Sequence, residues 1–175
     1  KILSLNTQEK SCLASIIKES EATFRHFDDV YSLDIPNKPE TFYHAGYSFG
    51  MFLKEMSDVD VDEVKITLAF TNLIENAIKY NNPNGWVRVS LNADHQYMYL
   101  KVEDNGMGIP EKDIDHIFER FYRVDKSHSR EIGGTGLGLA ITRSAVLMHK
   151  GAVKVFSAEG EGTIFNVRIP LKYIV

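Results

Sequence analysis

The sequence predicts an α+β fold, a two-layer sandwich with helices on one face of a mixed sheet. Two segments, "DVDEVKITLAFTNLIENAIKY" and Leu137 to His149, space their apolar residues as helices do. Two others, "WVRVSLNADHQYMYLKVED" and "AVKVFSAEGEGTIFNVRIP", alternate with period two around a central turn and read as antiparallel hairpins. Helices and strands are interspersed along the chain, which favours one sheet with helices laid over it.

Each element has its own signals. "LNTQEKSCLASIIKESEATFRHF" sets Leu13, Ile16, Ile17, Phe24 and Phe27 near helical spacing, with Thr7 as N-cap. Residues 28–60 carry Pro36 and Pro39 and no clean period, and short strands are expected there. The next helix has Val64, Leu68, Leu73, Ala77 and Tyr80 near one stripe and Asp60 or Asp62 as cap. "NNPNG", Asn81 to Gly85, stops it. After the first hairpin, "IPEKDIDHIFERFYR" reads as a short helix with Pro110 near its first turn. Val124 to Gly134 is polar and loop-like, and the helix from Leu137 ends at Gly151. "EGEG" turns the terminal hairpin.

The 175 residues suffice for one domain, 1–175, with a proper core. Apolar residues at 43% and charged residues at 25% fit a soluble globular protein, and no apolar run approaches the ~20 residues of a membrane span. Lys1 in place of Met, and no secretory leader, suggest a segment of something longer. The single cysteine, Cys12, has no internal disulfide partner and fits a reducing compartment. A net charge of −4 argues against nucleic acid as a partner, so any bound anion needs a local arrangement.

Four segments offer such chemistry. In "NLIENAIKY", Asn72, Asn76 and Lys79 share one helix face, beside Tyr80. A carboxamide oxygen suits Mg²⁺ and a lysine suits phosphate, though a solvated helix face fits equally well. In "VEDNGMGIP", Asp104 ends a strand and Gly106 and Gly108 let backbone approach a ligand. A carboxylate there can accept from an adenine amine, yet an ordinary Asn-Gly turn alone accounts for it. In "GGTGLGLAI", Gly133, Gly134, Gly136 and Gly138 precede a helix N-terminus, which attracts phosphate. It matches neither a Walker loop nor a Rossmann fingerprint. "IFERFYRVDKSHSRE" holds Phe118, Phe121 and Tyr122, read as core packing, beside Arg120, Arg123, Lys126 and Arg130. It reads as a hinged lid spanning roughly Val124 to Gly133, expected to be mobile without nucleotide.

In this order, "NLIENAIKY", "EDNGMGIP", "IFERFYRVDKS", "GGTGLGLAI" and "EGEGTIF" closely resemble the catalytic, ATP-binding domain of two-component sensor histidine kinases. The first four correspond to that family's asparagine box, first glycine box, phenylalanine box and second glycine box, and the resemblance is clearest over 62–170. The resemblance implies the Bergerat-type ATP-binding sandwich. It implies Asn76 as Mg²⁺ ligand, Asn72 near the phosphates, and Lys79 and Tyr80 as nucleotide contacts. It implies Asp104 as acceptor of the adenine amine, with Gly106 and Gly108 shaping the adenine floor. Arg123 falls at the family's phosphate-facing arginine. Gly134, Thr135, Gly136, Leu137 and Gly138 fall around the triphosphate and the end of the lid.

The implied activity is transfer of the γ-phosphate of Mg²⁺–ATP to a histidine, for which positioning and charge neutralisation suffice. None of His26, His44, His95, His116, His128 or His149 lies in the family's phosphoacceptor pattern. The acceptor and its general base are therefore expected on a separate dimerisation domain, with a response regulator downstream. The alternative is a nucleotide-dependent switch or pseudokinase without transfer; the phenylalanine box disfavours a serine-kinase anti-sigma relative. The resemblance further implies a cytoplasmic, monomeric domain of a membrane-anchored parent, with no nucleic-acid or membrane contact of its own.

Overall fold

The structure, a computed structural model, describes residues 23–27, 30–36, 61–94, 96–124 and 134–171. Six strands form one sheet: β1 (Thr23–Phe27), β2 (Val30–Pro36), β3 (Trp86–Ala93), β4 (Tyr97–Asp104), β5 (Ala152–Ala158) and β6 (Gly162–Pro170). Their order is β1-β2-β3-β4-β6-β5. Every pairing among the described residues is antiparallel, so the α+β sandwich stands while the described sheet is not mixed. β1 also corrects the helical reading of the segment around Phe24 and Phe27. Two aromatics three apart fit either element, and pairing with β2 decides it. The stretch 1–22, with Thr7 and Cys12, lies outside the described residues, as do 37–60.

Helix α1 (Glu63–Lys79) begins at Asp62, whose Oδ1 accepts from the Lys65 backbone N–H at 3.1 Å. It buries Ile66, Ala69, Phe70, Leu73, Ile74, Ala77 and Ile78. The stripe expected from sequence was rotated: Leu73 and Ala77 are buried, but Val64 is 77% and Leu68 46% exposed. The buried face meets the inward side chains of the sheet, among them Val89, Leu100, Val102 and Val167. Full burial of each such Leu, Ile or Phe contributes about 1.5–3 kcal/mol. "NNPNG" does end the helix, with Asn84 at φ 63°.

Helix α2 (Glu111–Ile114) is a single turn capped by Pro110, shorter than "IPEKDIDHIFERFYR" promised. Helix α3 (Gly138–Met148) packs on α1, where the Thr142 hydroxyl donates to the Ala69 carbonyl at 3.1 Å. Buried His149 then joins the two helices. Its Nε2 accepts from the Asp62 N–H at 2.8 Å, and its Nδ1 lies 2.7 Å from the Ala145 carbonyl. Accepting at Nε2 places the proton on Nδ1, which donates to that carbonyl. The start of α1 is thereby tied to the end of α3.

Candidate functional site

The far end of α1 meets Gly106 from one glycine motif and Gly134 from the other. On one side lies the turn after β4. Gly106 sits so close to α1 that a Cβ there would be 2.4 Å from the Tyr80 carbonyl oxygen and 2.9 Å from Asp104 Oδ1. The Met107 N–H donates to the Tyr80 carbonyl at 3.0 Å, and Asn82 Nδ2 donates to the Asn105 carbonyl at 2.9 Å. Across the turn, the Gly160 N–H donates to the Met107 carbonyl at 2.8 Å and the Ile109 N–H to Ser157 Oγ at 2.8 Å. Gly108, at φ 67°, lies against the Ala158 carbonyl. The turn is clamped between α1 and the β5–β6 corner, so it is a fixed floor.

Asp104 stands at its centre, buried at 8% exposure. Its Oδ1 accepts from the N–H groups of Gly106 at 2.9 Å and Thr163 at 3.3 Å. Burial pushes its carboxyl up to about 6, against the pull of those two donors. Both donors meet one oxygen, which leaves Oδ2 as an acceptor for another group. Thr163 was not foreseen, because it arrives through the β4–β6 pairing, 59 residues away.

On the other side of the α1 end lie two cations. Lys79 Nζ sits so near Gly134 that a Cβ there, at φ 120°, would be 2.6 Å from it. Arg123 Nη1 donates to the Gly134 carbonyl at 2.9 Å. Burial first, and the Arg123 charge second, hold the Lys79 amine below its usual range, with Glu75 opposing. Two cations gathered at Gly134 raise each other's energy, and Glu75 offsets part of this for Lys79. The Lys79 amine also lies 5.5 Å from the centre of the Tyr80 ring.

The remaining candidates line this cationic side. Asn72 Nδ2 donates to the Gly138 carbonyl at 3.2 Å, and a Cβ at Gly138 would lie in ordinary contact with that carboxamide, 3.5 Å away. Gly136, at φ 69°, rests on the backbone of Phe121, whose N–H donates to the Gly136 carbonyl at 2.9 Å. Thr135 Oγ1 accepts from the Leu137 N–H at 3.3 Å, and Leu137 is the N-cap of α3. Asn76 is half-buried. Of the aromatic trio read as core, Phe118 packs on the core and Tyr122 is half-buried, but Phe121 is 71% exposed at φ 66°. The lid residues Asp125 to Gly133, with Lys126, His128 and Arg130, lie outside the described residues.

The arrangement is a trough with a carboxylate floor at one end and two cations at the other, sharing one helix end. The chain is similar to known proteins in sequence and in fold. Residues 61–173 match the family model "Histidine kinase-, DNA gyrase B-, and HSP90-like ATPase". The sensor histidine kinase WalK of Bacillus subtilis is 42% identical over 69% of this chain, and that match spans 21% of the relative. The sensor protein kinase WalK of Staphylococcus haemolyticus is 44% identical over 94% of this chain and 31% of its own length. The chain thus spans about a third or less of these curated relatives. Among solved structures, a mycobacterial sensor histidine kinase, MprB, superposes with a TM-score of 0.58 at 27% identity, covering 78% of this chain and 97% of that one. Full-length ShkA in complex with AMPPNP superposes with a TM-score of 0.53 at 30% identity, over 62% of this chain and 22% of that one.

Proposed function

This chain belongs to the family of histidine kinase-, DNA gyrase B- and HSP90-like ATPases, and on that premise we propose that it binds Mg²⁺–ATP in the trough and donates the γ-phosphate to a histidine. The acceptor lies on a dimerisation domain outside this chain, within a larger two-component sensor. The observation that carries the reading is the double engagement of one helix end. Tyr80 and Asn81 press on the Asp104–Gly106 floor while Lys79 meets Gly134 and Arg123. A ligand that is an acceptor-seeking amine at one end and a polyanion at the other fits that polarity.

Each residue then has a task. Asp104 accepts the exocyclic amine of adenine through the oxygen that its backbone donors leave open, over the floor set by Gly106 and Gly108. Tyr80 and Lys79 follow the nucleotide towards its phosphates, where Lys79 and Arg123 neutralise charge. Asn72 and the stretch Gly134, Thr135, Gly136, Leu137 and Gly138 wall the phosphate end, next to the N-terminus of α3. The partly exposed carboxamide of Asn76 fits a Mg²⁺ that takes its other ligands from phosphate and water. Bound there, that ion would offset charge on the phosphate oxygens. The γ-phosphoryl group leaves the bridging oxygen, releasing ADP, and bonds to an imidazole nitrogen.

Residues 1–175 form a single catalytic domain on this reading, placed in the cytoplasm and monomeric by itself. The parent protein is membrane-anchored and feeds a response regulator. Among the described residues no helix is long and apolar enough to cross a membrane. The test is to supply an intact phosphoacceptor domain in trans with γ-labelled ATP. Labelled histidine is the expected product. Tight nucleotide binding with no labelled histidine would sink the transfer step and leave the nucleotide-dependent switch.

A further inference from the structure

Asp113 is 7% exposed, and its Oδ2 is buried without a hydrogen-bond partner among the described residues. Its Oδ1 accepts from the Tyr122 hydroxyl at 2.5 Å. A buried carboxylate with one bond is costly, and such a group calls for a reason. The chain beyond Tyr122 supplies one. Phe121 holds a left-handed backbone at φ 66°, a conformation that bulky residues adopt only when their surroundings impose it. That turn sends Tyr122 back onto Asp113 and sends Arg123 towards Gly134. Phe121 itself is too exposed to be held by its side chain. What fixes the turn is the Phe121 N–H on the Gly136 carbonyl, the Gly136 backbone beneath it, and the Tyr122 hydroxyl on Asp113.

We propose that Asp113 and Tyr122 are positioning residues that aim the Arg123 guanidinium at the nucleotide phosphates. The anchor acts at a distance from the ligand: Asp113 fixes the phenol, the phenol fixes the strained turn, and the turn fixes where Arg123 begins. Donation to Asp113 keeps the proton on the Tyr122 phenol, which is therefore the donor throughout the physiological range. The His116 ring, itself bonded to Glu119, lies 5.4 Å from the Tyr122 ring and limits its swing. The proposal rests on the reading of Arg123 as a phosphate contact.

The experiment is calorimetric titration of the whole chain with Mg²⁺–ATP and, separately, with adenosine. Tyr122→Phe removes only the hydroxyl and is expected to weaken ATP binding about tenfold, the scale of one lost buried hydrogen bond, while adenosine affinity holds. Asp113→Asn keeps an acceptor for the phenol and is expected to stay near the unmodified chain. Arg123→Ala is expected to weaken ATP binding by at least as much as Tyr122→Phe. In the double variant, Tyr122→Phe is expected to add nothing, because its effect runs through Arg123. Additive losses, an unchanged Tyr122→Phe, or an equal loss for adenosine overturn the positioning role alone. An Arg123→Ala variant with full ATP affinity overturns the phosphate reading beneath it, and the proposal with it.

Discussion

The two ends of α1 are built from similar residues and behave oppositely. At the start, Asp62 caps the helix with its carboxylate, pairs with the Lys65 ammonium, and gives its N–H to His149, whose other nitrogen donates to Ala145. Lys65 holds the Asp62 carboxyl below its usual range, so charge and partner agree. At the finish, Asp104 is pushed above its usual range by burial and Lys79 is pushed below its own. Each is held in the less comfortable state. Polar groups that satisfy one another make structure. Polar groups held out of balance, pushed by burial towards their neutral forms, make a site.

That contrast can be broken from either end, and the largest effect is expected from Gly106→Ala. The added methyl meets the Tyr80 carbonyl and Asp104 Oδ1, neither of which can move without the floor moving. About 3 kcal/mol of combined stability and ATP affinity should be lost, read by thermal melts and calorimetry. An ATP affinity left intact would show that the floor is not part of the site. Next is His149→Ala at the opposite end, which strands the Asp62 N–H and leaves the Ala145 carbonyl only the backbone N–H of residue 149. About 2 kcal/mol of stability should go, with ATP affinity of the folded protein unchanged. If affinity falls in step with stability, the two ends are not separable.

Asp104→Asn sharpens the comparison because stability and binding should move in opposite directions. ATP affinity should fall about tenfold, since the amide presents a donor as well as an acceptor towards the adenine amine. The nucleotide-free protein should melt higher at neutral pH. The Asp104 carboxyl is raised from 3.8 to about 6, so its favourable contribution is full below 3.8 and is lost as pH rises through 6. Denaturant titrations should show the unmodified chain gaining from this group as pH falls from 6 towards 4, and the Asn variant lacking that slope. A variant with the same slope would move the titration to another residue. The smallest effect is expected from Asp62→Ala, a lost cap worth ~1 kcal/mol, with no change in nucleotide affinity.

Legibility in the sequence followed the range of the interactions. Turns written in local chemistry were readable: "NNPNG", "NADHQ" and "EGEG" all turn where they should, and Asp62 is the cap. Gly106 and Gly134 do meet the end of α1, and Gly138 meets Asn72 further back along it, because glycines and amides are odd choices unless something approaches closely. The face of α1 was misread because Val64 and Leu68 obey helical spacing as well as Ile66 and Phe70 do. Only the position of the sheet tells them apart. β1 was misread for lack of its partner. Asp113 and Thr163 passed without notice, and His149 stood out only as a helix end and a histidine outside the phosphoacceptor pattern. Each gets its meaning from a group 9, 59 or 87 residues away, which no local pattern encodes.

The placement of β6 between β4 and β5 bears on how the protein is born. Asp104 waits for the amide of Thr163, and Asp62 waits for the ring of His149. A nascent chain leaving the ribosome can form α1 and the β3–β4 hairpin early, yet the floor of the trough stays incomplete until the last hairpin emerges. On the proposed reading the adenine floor is complete only once β6 has paired with β4 and brought the Thr163 amide to Asp104.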